Sequence, residues 1–146
     1  MPNLLGKKHL ITKDKMFDPL LAICPDFEVV WLSFVDQWSE DADDLPFYLL
    51  LLDLSLYMSE LLDGDKEDEI SAILSVAESW LLNGDSYVRE AAVVGLLEGL
   101  QTQYSGQRKS PVEYIRLLPP ECRYWWGKVE RFWSSGELLI DGRQAT

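Results

Sequence analysis

The 146-residue chain predicts an all-α fold, a compact single-domain bundle of about five or six helices. Three observations lead there. Apolar residues recur at helical spacing through most of the chain. No stretch shows the strict alternation of a half-buried strand, and turn-forming residues punctuate the stripes at intervals of one helix length. Hydrophobic residues make up 47%, enough at this length to fill one core without disulfides or metals.

Residues 1–15, MPNLLGKKHLITKDK, hold four Lys, one Asp and the only His, with no amphipathic pattern. They are expected to form a flexible N-terminal extension, leaving 16–146 as a single helical domain that opens at Met16. Phe27, Val30, Trp31, Phe34, Val35 and Trp38 fall at i, i+3, i+4, i+7, i+8 and i+11, which predicts an amphipathic helix from near Asp26. SEDADDLP breaks it, and Pro46 suits the first turn of the next helix. That second helix, about 46–62, is apolar on nearly every side and is expected to be central. DGDKEDE supplies a turn and then an acidic first turn, favourable beside the positive end of a helix dipole.

The third helix runs to Leu82 with Ile70, Ile73, Leu74, Ala77 and Leu81 on one face. NGD stops it, Gly84 being expected as a left-handed C-terminal residue. A fourth helix covers 86–103 and ends before YSGQRKSP; a shorter one (about 111–118) and PPECRYWWGKVERFW (119–133) follow. ELLI (137–140) is ambiguous.

NGDSYVREAAVVGLLEGLQ (83–101) reads as packing before chemistry. Asp85 is placed to cap the fourth helix, and Val88, Ala92, Gly95, Leu96 and Gly99 then share a face small enough for a neighbouring helix to come close. Arg89, one turn beyond Asp85, can pair with it. Asp85, Val88, Arg89 and Ala92 resemble the second helix of a HEAT-type repeat over roughly 66–103, which implies HEAT-like antiparallel helix pairs.

The net charge is −12, unevenly spread. Residues 36–98 carry sixteen acidic side chains against Lys66 and Arg89, whereas 104–146 carry seven basic against five acidic. Such a surface repels nucleic acid, whose binding depends on cations at phosphates, and attracts basic partners. Acidity that serves solubility alone is the plain alternative.

Little supports catalysis. His9, in the loose leader, is the only imidazole, and Cys24 and Cys122 have neither a base nor metal spacing beside them. Reduced thiols are expected. DADD (41–44) lacks a companion acidic motif or a phosphate-cradling loop. DGDKEDE fails the calcium-loop pattern, with Asp68 where Gly is needed and Leu74 where the bidentate Glu is needed. No catalytic residue, metal or cofactor is assigned. Asp53, in the most apolar helix, is expected to face a polar seam or a buried donor. Adjacent Trp125 and Trp126 cannot both face inward, so Trp126 or Tyr124 is expected to stay partly exposed. The apolar runs are too short and too interrupted to span a bilayer, and no secretory leader is evident, so the cytoplasm is the expected compartment.

MFDPLLAICPDFEVVW, DDLPFYLLLLDLS, GDSYVREAAVVGLLEGLQ and RYWWGKVERFW, in that order over 16–133, resemble a group of small acidic helical bacterial proteins. That group is similar to cytosolic immunity proteins accompanying Rhs-type or type VI-delivered toxins. The resemblance implies a binder of a cognate toxin domain rather than an enzyme, and it brings no catalytic signature.

Alternating helices place the loops near 40–45, 83–86 and 118–120 at one end of the bundle and 63–66 and 104–110 at the other, roughly 27 Å away for an 18-residue helix. Arg108 and Lys109 can neutralise Asp63, Asp65 and Glu67 at the second end. The partner site is therefore expected at the first end, built from Glu40, Asp41, Asp43, Asp44 and Asp85, with Tyr48 and Tyr87 as anchors. The leading expectation is neutralisation of a toxin domain by covering a basic active-site cleft. The competing one is an adaptor or regulator that binds another protein through its Trp-rich C-terminal helix.

Overall fold

The computed structural model describes residues 10–41, 44–102 and 109–143, Asp41 by its backbone alone. Among these the chain is all-α, with seven α-helices: α1 (Asp18–Ile23), α2 (Glu28–Gln37), α3 (Phe47–Asp63), α4 (Glu67–Asn83), α5 (Ser86–Glu90), α6 (Glu98–Thr102) and α7 (Pro120–Ser135). The expected fourth helix is one rod with three parts, since a π-helical segment (Ala91–Leu97) joins α5 to α6. The short helix expected near 111–118 is a 3-10 helix, Pro111–Leu117. ELLI forms neither helix nor strand.

The centre of the bundle is α4, not α3. It buries Ile70, Ile73, Leu74, Val76, Ala77, Trp80 and Leu81 and packs against α1, α3, α5, the π segment, the 3-10 helix and α7. An apolar α3 had been expected there, but hydrophobicity on all sides does not by itself decide which helix is enclosed. One face of α3 lies bare, with Leu49 44% and Leu56 45% exposed.

Small side chains set the approach of α3 to the long rod. The two run parallel, Tyr48 and Leu51 lying beside Gly95 and Ser55 beside Gly99. A Cβ on Gly95 would stand 2.7 Å from Leu51 Cδ1, so a larger residue would force the Leu51 side chain to move. Phe17 binds the first half of the chain to the centre, its ring lying 4.9 Å from Phe47 and 5.6 Å from Trp80. The indole N–H of Trp80 donates to the Met16 carbonyl at 2.8 Å, which satisfies a buried polar pair.

Residues 10–15 pack onto the bundle instead of trailing from it. Ile11 N–H donates to Asn83 O at 2.8 Å and Asp85 N–H to Ile11 O at 2.9 Å, a parallel bridge across the α4–α5 turn. Residues 1–9 of the expected extension lie outside the described residues. That turn also corrects the reading of Gly84, which is extended (φ −77°, ψ 155°). Glycine is required there by space, because a Cβ would meet Trp80 O at 2.4 Å and Val88 Cγ1 at 2.6 Å. The left-handed cap is Gly136, at the end of α7 (φ 77°).

Candidate functional site

The first end of the bundle gathers most of the expected partner residues that are described. Asp44 and Tyr87 meet Lys13, Tyr48 stacks on Tyr87, and Asp85 joins the same segment through its backbone N–H to Ile11 O. The Lys13 ammonium donates to Asp44 at 2.5 Å and lies 5.0 Å from the centre of the Tyr87 ring, which stacks on Tyr48 at 5.9 Å. Lys13 holds the Asp44 carboxyl below its ordinary range through that hydrogen bond and its charge. Partial burial, with the charge of Glu90 next, pushes the Tyr48 hydroxyl up to about 12. Burial likewise raises Tyr87, with Lys13 opposing it.

Asp85 has a structural duty at this end. Its Oδ1 accepts the Val88 N–H at 3.0 Å and caps α5 as expected. The pair expected between Asp85 and Arg89 is not formed, and among the described residues Arg89 has no ion-pair partner. Glu40 is exposed in a 3-10 turn, Ser39–Asp41. Asp43 and the side chain of Asp41 lie outside the described residues.

The second end is internally neutralised, as its charges suggested. Lys109 pairs with Asp65 and donates its backbone N–H to Asp63 at 3.0 Å. Glu67 takes Arg116 instead, whose guanidinium holds its carboxyl below the usual range. Arg108 lies outside the described residues.

Lys128, Arg131 and Arg143 near the C-terminus are also paired with carboxylates. Arg143 grips Glu121 with two bonds of 2.7 and 2.9 Å, pairs with Asp141 and stacks 3.6 Å from the centre of the Tyr124 ring. Its hydrogen bonds hold the Asp141 carboxyl down to about 2. This clamp folds the tail against α7 and helps enclose a cleft of about 560 Å³ that also touches Arg89, Val93, Trp125 and Leu139. Of the adjacent tryptophans, Trp126 is the buried one, while Trp125 is half-buried in that cleft and Tyr124 half-buried beneath the clamp. Trp133 at the end of α7 is 58% exposed.

Both cysteines are buried free thiols, Cys24 lying 3.5 Å from the Tyr57 hydroxyl and Cys122 facing the Leu74 carbonyl. Among the described residues no three His, Cys, Asp or Glu side chains come together as a metal-ligand set. No helix among them is long and apolar enough to cross a membrane.

Two features escaped the sequence. Lys13 was assigned to the loose leader, although it sits against the acidic end. The bare face of α3 was hidden by the assumption that an all-round apolar helix must be enclosed.

The family described as Domain of unknown function (DUF7674) matches residues 17–134, from the first core aromatic to the last turn of α7. No curated protein and no solved structure matches the chain.

Proposed function

The chain belongs to this family, and we propose, on its charge distribution, that it is an immunity-type binding protein that neutralises a basic toxin domain in the cytoplasm. The observation that carries this reading is the asymmetry of charge pairing. Lys13, Lys109, Arg116, Lys128, Arg131 and Arg143 each pair with a carboxylate of the chain itself. Among the described residues Glu28 and Asp36 on α2 and Asp53 and Glu60 on α3 have no such ion pair, so this side of the surface presents acidic charge to an approaching protein.

Such a field steers a basic partner into contact and penalises acidic ones. A toxin that handles nucleic acid or nucleotides carries cations at its phosphate sites. Carboxylates presented to those cations occupy the places phosphates need, and shape complementarity then selects one toxin among many. Neither step requires a reaction by the binder.

The test is co-expression with a polymorphic-toxin C-terminal domain encoded beside the gene. Restored growth and a stable complex on gel filtration are expected; toxicity undiminished by the folded chain would contradict the proposal. Exposed Trp133 and Phe132 on α7 favour a second reading, an adaptor that binds through that helix. It predicts that replacing Trp133 by Ala abolishes partner capture, whereas the toxin reading predicts no effect.

A further inference from the structure

We infer that the outer surface of α2 and α3 is a docking groove for a basic amphipathic helix of a protein partner. This deepens the binding reading above and rests on it for the partner's biological role.

The geometry is that of a groove between two helices. Val29, Val30, Ser33 and Gln37 of α2 form one wall, and Asp53, Leu56, Tyr57 and Glu60 of α3 the other, around a volume of about 420 Å³. The apolar surface continues along α3, where Leu49, Leu52 and Leu56 repeat at i, i+3 and i+7 and are 44%, 36% and 45% exposed. Val29 opposite is 74% exposed. Scattered exposed leucines need no explanation, but a row of them along one helix facing an exposed valine on the next is an interaction surface. From Leu49 to Glu60 the row runs about 16 Å, enough for three turns of a docked helix.

Charge decides the occupant. From Met16 to Asp65 the chain has no Lys, Arg or His and twelve acidic residues. Asp53 and Glu60 line the groove itself, with Glu28 and Asp36 exposed on α2. A second copy would set carboxylates against carboxylates, and an anionic bilayer would be repelled for the same reason. A helix with apolar residues at i, i+3 or i+4 and i+7 and flanking Lys or Arg fits both features at once. Burial by the apolar neighbours raises Asp53 above its ordinary value, and among the described residues no cation lines the groove to offset it. An incoming lysine or arginine would.

The probe is a fluorescein-labelled 14-residue Lys/Leu amphipathic peptide, titrated into the full chain and followed by anisotropy beside a scrambled peptide of equal composition. The Val29→Lys/Leu56→Lys double variant changes two exposed positions, and its folding is checked by circular dichroism and melting. The expected result is a weakening of at least about tenfold in that variant, on the scale of losing an interface anchor. Asp44→Lys, at the other acidic surface, should change affinity less than the groove variant does. Equal weakening in both variants, or equal binding of the scrambled peptide, would reduce the effect to general electrostatics and overturn the groove. A dimer in sedimentation velocity that the double variant dissolves would overturn it too, as would preferential binding to phosphatidylserine vesicles. Toxin protection that survives in the double variant sinks the groove and spares the immunity reading. Peptide binding at the groove without toxin protection does the reverse.

Discussion

The carboxylate of Glu78 on α4 caps α7 from the side, accepting the backbone N–H of Glu121 at 3.0 Å and of Cys122 at 2.9 Å. A helix N-terminus leaves such donors free, and Pro119, which precedes α7, has no side chain to hold them. The central helix therefore positions the C-terminal one through two charge-assisted bonds. Glu78→Ala should lower stability by about 1–2 kcal/mol, the upper range for loss of a cap. Glu78→Gln, which keeps one acceptor oxygen, should lose less. Urea unfolding monitored by tryptophan fluorescence measures both; equal stability of the Ala variant would contradict this role.

Gly84→Ala should destabilise by about 1–3 kcal/mol, as overpacking does, because the new methyl meets the Trp80 carbonyl and the Val88 side chain below normal contact distance. The same substitution at Gly136 meets nothing within 4 Å and strains only the left-handed backbone, at about 1–2 kcal/mol. In a double-mutant cycle Val88→Ala should couple with Gly84→Ala, whose methyl meets Val88 Cγ1, and not with Gly136→Ala. A thermal-melt comparison of these variants separates crowding from backbone strain.

Asp53→Asn should stabilise the protein at neutral pH. Burial raises the folded-state pKa of Asp53 above the ordinary 3.8, so the folded chain binds its proton more readily than the unfolded chain. Stability is then lost as pH rises through the window from 3.8 up to that raised value, and the penalty is complete at pH 7. Asparagine removes the penalty. Its advantage should be present at pH 7 and vanish below 3.8, read from melting temperatures across that range. The same variant should bind the basic peptide more weakly, since the carboxylate serves the groove at the expense of the fold.

Lys13→Ala should affect binding more than stability. Lys13 neutralises Asp44 and covers the Tyr87 ring, so it competes with any basic partner at that end. If the partner's contact reaches the first end, its removal tightens association severalfold and steepens the salt dependence, measured by titration calorimetry at two ionic strengths. Unchanged affinity would confine the interface to the α2–α3 groove.

The helical elements were legible wherever periodicity ran for ten residues or more. The stripe from Phe27 to Trp38, the face of Ile70 to Leu81 and the Asp85 cap all appear in the fold as read. What was not legible depends on tertiary contact. Six-residue α1 is too short for a period and is held by the burial of Phe17 and Leu20. Gly84 follows a helix in the way a left-handed cap does, and only the nearness of Val88 shows its different task. Lys13 stands in a segment with no pattern, so its place against Asp44 depends on the bridge from Ile11 to the α4–α5 turn. The groove could be read only after α4 was known to occupy the centre, because α3 has the more hydrophobic sequence.

The most direct measurement is affinity capture from the source cell by the tagged full chain, with the eluate identified by mass spectrometry and the capture repeated at high salt. The account predicts a polymorphic-toxin C-terminal domain with basic character, retained at low salt, released at high salt and missing from the Val29→Lys/Leu56→Lys eluate. Recovery of housekeeping proteins alone, or of nothing that responds to salt, would contradict it.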